Sequence, residues 1–288
     1  MMPKKKFTKI GNYVYNPEGE ALGEGSYGAI YKGAEITNKE NKVAIKIINK
    51  HILNSHKALM ATFSREIKVL KRIKGKHLLE YKDSFMSTQG NLYIITKFYK
   101  DGDLSNFLEK SGGKLSYEKA LKILNLIAKT FVGLEKVLKN EKGEAETIIH
   151  RDLKPANILM DGEEPVIADF GFAKFVAEGK KSEISKHTGG IGTVAYMSPQ
   201  LLAEDDYSFK CDVWSMGIVT YEMIYGIRPW KGDFAYTLSE AIRKEPLTFP
   251  EEPKVPTYVK DLIKRMLERE ESARYDWNQI VKTLENKI

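Results

Sequence analysis

The 288-residue sequence predicts an α+β chain in two lobes, a small antiparallel β-sheet lobe carrying one helix and a larger, mainly helical lobe. Three observations predict it. Residues 12–100 hold short apolar, β-branched runs with one helical interruption. Residues 103–288 are dominated by helical periodicity. The length suits one large or two small domains, and is ample for a full core.

The elements follow in chain order. Residues 29–33 and 43–48 are strand-like, and Thr37-Asn38-Lys39-Glu40-Asn41-Lys42 between them supplies turn chemistry, which makes a hairpin. Phe63, Ile67 and Leu70 recur at i, i+4 and i+7, leaving Arg65, Lys68, Lys71 and Arg72 for solvent, so a helix comes next. Residues 93–96 form a further strand, and 97–102 a short polar link to the second lobe. Residues 115–138 have long helical periodicity after Gly112-Gly113, with Ser116 as cap. The charged, Gly-containing stretch 139–146 is expected to bulge at the surface. Residues 213–227 are apolar but interrupted by Ser215, Thr220 and Glu222, and fall short of the roughly 20 residues a membrane span needs. They are expected to form a buried core helix. The expected lobes are 12–98 and 99–285 of a domain at 1–285, with 1–11 a basic extension. There is no internal repeat or low-complexity tract.

Forty-six Lys and Arg against 39 Asp and Glu leave a net charge of +7. Nucleic acid, an anionic membrane or an acidic substrate would each suit that surplus, but the lysines are spread along the chain as on an ordinary solvated surface. One cysteine, Cys211, excludes an internal disulfide and a thiolate metal cluster. No signal-peptide run follows the basic N-terminus. An intracellular, cytoplasmic protein without a membrane span is expected.

Gly23-Glu24-Gly25-Ser26-Tyr27-Gly28 is a G-x-G-x-x-G string, weak by itself because a turn between strands uses glycines anyway. A dinucleotide fold needs a helix to start here. The strand-like run after it instead makes the glycines a hairpin tip, whose N–H groups can approach phosphates without a Cβ in the way. Val43-Ala44-Ile45-Lys46 puts a lysine on the face of Ala44, opposite Ile45. Such a lysine either snorkels at an edge or holds an anion. Glu66 shares the inward side of Leu70, where a carboxylate is costly without a cation, and Lys46 is the candidate partner. The strongest signal is His150-Arg151-Asp152-Leu153-Lys154-Pro155-Ala156-Asn157 followed by Asp169-Phe170-Gly171. Any one of these residues serves equally as an Asx turn or helix cap. As a set, Asn157 and Asp169 offer oxygens suited to Mg²⁺, which takes few protein ligands.

In order over residues 12–285, these motifs resemble the signature set of eukaryotic protein kinase domains. Gly192-Thr193-Val194-Ala195-Tyr196-Met197-Ser198-Pro199, Asp212-Val213-Trp214-Ser215-Met216-Gly217 and a late Arg274 fall where that family has them. Ile167-Ala168-Asp169-Phe170-Gly171-Phe172-Ala173-Lys174, with residues 149–159, looks most like the Unc-51-like kinases that initiate autophagy. Calcium/calmodulin-type and NIMA-like kinases are close in pattern.

The resemblance implies a bilobal kinase fold gripping Mg-ATP between its lobes, and a protein substrate with a Ser or Thr acceptor. Asp152 would orient or accept the hydroxyl proton and Lys154 would steady the γ-phosphate, while Asn157 and Asp169 would hold Mg²⁺. Lys46 with Glu66 would position the α and β phosphates under Gly23, Gly25, Ser26 and Gly28. Ile30, Ala44 and Leu159 would sandwich the adenine, Thr96 would guard the back of its pocket, the backbone from Lys97 to Tyr99 would bond the base, and Asp103 would reach the ribose. Lys154 and the Gly192-Thr193 pair imply Ser/Thr rather than Tyr specificity. Regulatory protein partners are expected if the sequence is part of a longer chain.

Ser182, Ser185 and Thr188 are the activation-segment candidates, Thr188 foremost: a phosphate there could pair with Arg151 and order the segment. Equally, they are hydroxyls of a solvated loop. The sequence departs from the family in two places. Ala156 stands where many basophilic kinases have a glutamate that attracts substrate arginine, and Ser198-Pro199-Gln200 replaces Ala-Pro-Glu, leaving Arg274 an amide as partner. A nucleotide-binding pseudokinase scaffold is the alternative of another class, but Lys46, Asp152 and Asp169 are all present. No aromatic-interleaved basic stripe suggests specific nucleic-acid binding, and the five histidines lack paired zinc spacing.

Overall fold

The computed structural model describes residues 7–25, 28–55, 57–177, 179–182, 193–285 and 287. The chain has the bilobal α+β kinase architecture, and divides into compact units at Met1–Lys100 and Asp101–Ile288. Phe98 N–H donates to Lys42 O at 3.2 Å, which ties the start of the expected link to the first unit.

The first unit runs β1 (Thr8–Ile10), β2 (Tyr13–Tyr15), β3 (Gly23–Gly25), β4 (Gly28–Glu35), β5 (Lys42–Ile48), α1 (Lys50–Ser55), α2 (Lys57–Arg72), β6 (Tyr81–Met86) and β7 (Leu92–Lys97). Its antiparallel sheet has the order β1-β2-β4-β5-β7-β6, with β3 also on β4. The period of two sorts β5 as expected. Val43 and Ile45 join Tyr93 and Ile95 in a buried cluster with Ile10, Tyr13 and Tyr15, and Ala44 and Lys46 take the other face. Register sets Ile30, Lys46 and Ile94 in one cross-strand row and Lys32, Ala44 and Thr96 in the next. On α2 the buried residues are Phe63, Glu66, Val69 and Leu70, so Glu66 rather than the half-buried Ile67 faces inward.

The second unit runs α3 (Leu104–Lys110), α4 (Tyr117–Val137), β8 (Glu146–Ile149), β9 (Ile158–Asp161), β10 (Glu164–Ile167), β11 (Lys174–Ala177), α5 (Pro199–Leu202), α6 (Lys210–Tyr225), α7 (Ala235–Lys244), α8 (Thr257–Met266) and α9 (Trp277–Leu284). Ser116 caps α4, accepting from Lys119 N. Residues 139–145 form a turn in which Asn140 Oδ1 accepts from Lys142 N and Glu144 N, both at 2.9 Å. Every residue of α6 except Lys210 and Glu222 is buried, and Gly226, at φ 72°, ends it in the left-handed conformation that glycine adopts cheaply. Cys211 is fully buried, and burial first, then the Asp212 charge, push its thiol well above the usual range. Two antiparallel pairs, β8–β11 and the hairpin β9–β10, carry the loops of interest. Among the described residues no helix is long and apolar enough to cross a membrane.

Candidate active site

In the first unit the expected ion pair is formed. Lys46 Nζ donates to Glu66 Oε1 at 3.0 Å and Oε2 at 2.9 Å, with the carboxylate 3% exposed as a residue. The Phe63 ring lies 5.5 Å from the same ammonium. Ile30, Ala44 and Thr96 share the face of Lys46 through the register given above. Gly23 and Gly25 lie in β3 and Gly28 opens β4; Ser26 lies outside the described residues. At Gly28, with φ 150°, a Cβ would sit 1.9 Å from the Ile47 carbonyl oxygen. This glycine is therefore demanded by strand packing, whatever its loop binds. Lys97 N–H donates to Glu80 O at 2.9 Å, so its amide, like that of Phe98, is spent within the sheet.

In the second unit the catalytic-loop candidates converge on one carboxylate. Asp152 is buried, and its Oδ1 accepts from Thr193 N at 2.8 Å. Its Oδ2 accepts from Asn157 Nδ2 at 2.8 Å and lies 3.0 Å from Lys154 Nζ. Lys154 also donates to Thr193 Oγ1 at 2.5 Å. The Asn157 amide nitrogen is held by Asp152 O and Oδ2, which turns the amide oxygen away from Asp152. Ala168 N–H donates to Asn157 O at 2.9 Å, bringing Asn157 beside the residue that precedes Asp169. Asp169 is in the left-handed region at φ 58°, and Gly171 N donates to its Oδ1 at 3.3 Å. One carboxylate and one amide oxygen are a hard donor pair that fits Mg²⁺, which keeps most of its shell for water and phosphate.

The loop is fixed from beneath. His150 Nδ1 accepts from Asp152 N at 3.3 Å, so Nε2 carries the proton it shares with Ala168 O at 2.9 Å. Its ring packs 4.9 Å from that of the fully buried Phe170. Asp212, also fully buried, accepts from His150 N at 2.7 Å and Arg151 N at 2.8 Å. Burial pushes its carboxyl up from the ordinary value, and His150 and then the two backbone N–H groups pull it back. Leu159 is half-buried on β9, its neighbours Ile158 and Met160 facing the core, and bridges to Asp103, which caps α3 by accepting from Asn106 N at 2.9 Å.

The family model described as "Protein kinase domain" matches residues 17–284. The chain belongs to the protein kinase domain family. It is 32% identical over 260 residues to the human serine/threonine-protein kinase ULK3, covering 88% of this chain and 51% of that protein. It is 32% identical over 259 residues to the Arabidopsis thaliana serine/threonine-protein kinase TIO, covering 90% and 18%. To the Dictyostelium discoideum serine/threonine-protein kinase atg1 it is 28% identical over 276 residues, covering 93% and 38%. The chain thus spans about half the length of the ULK3 proteins it matches. Their names carry the Unc-51-like resemblance read from the motifs.

Two features of this kinase domain bear on the residues expected to form an activation segment. Arg151 donates from Nε to Phe172 O at 2.5 Å and from Nη1 to Tyr207 OH at 2.9 Å, so protein groups already engage the guanidinium expected to meet a phosphate. Ser182 is 2% exposed, accepts from Lys174 Nζ at 2.8 Å and bridges to Tyr207, which encloses its hydroxyl. Ser185 and Thr188, with Gly192, lie outside the described residues. Gln200 takes the place expected for it: Arg274 Nη2 donates to its Oε1 at 2.8 Å. Burial lowers the Arg274 guanidinium to about 10. Asp212, Thr193 and Tyr207 do structural work at the site that was not assigned from sequence. The motifs around Thr193 and Asp212 pointed to them, whereas nothing marked Tyr207.

Proposed function

We propose that the chain transfers the γ-phosphate of Mg-ATP to Ser or Thr hydroxyls of protein substrates. The observation that carries this is the Asp152 carboxylate, aimed by Thr193 N–H and the Asn157 amide and set 3.0 Å from the Lys154 ammonium. A carboxylate so held accepts or orients the proton of an incoming hydroxyl, work worth about 10²- to 10⁴-fold in rate. Lys154 answers the charge that gathers on the transferred group, and Lys46, fixed by Glu66, holds the phosphates behind it. Asn157 Oδ1 and the Asp169 carboxylate would hold Mg²⁺, which when bound supplies charge neutralisation to the phosphates. Ile30, Ala44, Thr96 and Leu159 would form the adenine site, with backbone of the 97–99 stretch and Asp103 toward the base and ribose. The Lys154–Thr193 contact supports a Ser/Thr acceptor. The likeness to ULK3 and atg1 supports an Unc-51-like role in autophagy signalling, with regulatory protein partners. Transfer of label from γ-labelled ATP to a Ser/Thr-rich protein tests the reading. We expect Mg²⁺-dependent incorporation on Ser and Thr that Asp152→Asn lowers about 10²- to 10⁴-fold; incorporation that survives Asp152→Asn unchanged would overturn it.

A further inference from the structure

Beside Thr193 the second unit carries a carboxylate that the reaction above leaves unused. Glu222, half-buried near the end of α6, accepts from Tyr196 OH at 2.8 Å. Tyr196 is itself fixed, since its carbonyl accepts from Ser215 Oγ at 2.8 Å. Burial and then the Glu222 charge push its phenol far above the usual tyrosine range, so Tyr196 keeps its proton to donate. A cation of the same chain lies near this ring: the Arg228 guanidinium is 5.9 Å from the Tyr196 ring centre. Arg228 is half-buried and Ile227 next to it 51% exposed, so solvent reaches this cluster.

The distance to the chemistry is short. Residues Val194–Tyr196 make one 3₁₀ turn directly after Thr193, whose amide holds Asp152. At about 2.0 Å rise per residue, Tyr196 lies roughly 6 Å along from Thr193, about the span of two residues of an extended peptide. A segment presenting its hydroxyl to Asp152 therefore has a side chain within reach of Glu222 and Arg228. A half-buried carboxylate bonded to a phenol would by itself draw a substrate lysine or arginine. With Arg228 over the phenol that carries Glu222, the enzyme already supplies the cation.

We propose that Arg228 is a specificity-determining residue, which turns the enzyme away from basic side chains and toward Asp or Glu within a few residues of the acceptor hydroxyl. The inference rests on the phosphotransfer reading given above, and extends it from the kind of hydroxyl to the kind of sequence around it. Ala156 fits the same picture, since the loop holding Asp152 offers no acid of its own at that position.

The test is a set of Ser-containing peptides that differ only in having Glu, Ala or Lys at each of the positions flanking the acceptor, with kcat/KM measured for each. For the wild-type chain, Glu should exceed Lys at one or two positions, the difference lying in KM. Arg228→Ala should shrink that Glu-to-Lys ratio by roughly three- to five-fold, the scale of one partly exposed charge pair. Arg228→Lys should keep the preference, and Arg228→Glu should reverse it. An unchanged ratio in Arg228→Ala, or a wild-type preference for Lys at every position, would overturn the proposal. Equal loss on all three peptides in both Arg228→Ala and Arg228→Lys would also overturn it, by making Arg228 a structural residue. A wild-type chain that phosphorylates no peptide and no protein would instead sink the phosphotransfer reading itself.

Discussion

Glu66 of the first unit and Asp212 of the second are both carboxylates almost wholly removed from solvent, at 3% and 0% exposure, yet they are stabilised by different means. Glu66 meets a side-chain charge, the Lys46 ammonium, at 2.9 and 3.0 Å. Asp212 meets two backbone N–H groups at 2.7 and 2.8 Å, in a loop fixed by its own chain. Arg274 repeats the second solution with the opposite sign, giving protons to Glu268 O and Lys210 O as well as to the Gln200 amide, and lying 5.1 Å from the Trp214 ring. Charge met by charge fixes one side chain against another. Charge met by main-chain dipoles locks the backbone itself, which suits a loop that must aim Asp152.

That contrast can be broken from either side. The largest stability effect is expected at Asp212→Ala, which strands the buried His150 and Arg151 N–H groups at about 1–3 kcal/mol each, or about 2–6 kcal/mol together. Chemical denaturation of the two proteins should show that drop, and a loss under 1 kcal/mol would mean that the dipoles find other acceptors. The ion pair should behave oppositely. Replacing both partners, Lys46→Met with Glu66→Leu, should leave stability unchanged or raised, because buried pairs barely repay their desolvation. The same double variant should lose about 10²- to 10³-fold in phosphate transfer, the scale of one lost electrostatic contact; retention of both stability and rate would dissolve the distinction. The smallest effect is expected at Gln200→Glu. An ion pair with Arg274 should replace a bond to a neutral acceptor and add about 1 kcal/mol, or some 2–4 °C in Tm for a unit of this size. A lower Tm would show that desolvation of the new carboxylate outweighs the bond.

How much of this was legible beforehand depended on whether a period or a motif marked the residues. Strand β5 announced its two faces through alternation, and the place of Glu66 on α2 identified Lys46 as its partner 20 residues away. The Ser116 cap and the Gln200–Arg274 bond were also readable, the first local and the second tied to a known motif. Helix α1 was missed because six residues are too few to show a period. Strand β1 was hidden in the presumed extension, since three residues signal nothing until they pair with β2. The partners of Arg151 were out of reach for a different reason. Tyr207 OH lies 56 residues along, and a tyrosine in a loop looks like any other until the core closes around it.

The enclosure of Cys211 has a practical side. Since the chain holds one thiol, and that thiol is fully buried with its proton held tightly, the native protein should resist maleimide dyes and air oxidation alike. A cysteine engineered anywhere on the exterior would then be the sole reactive handle, so that fluorophores or spin labels can be attached one per molecule without first removing the natural residue.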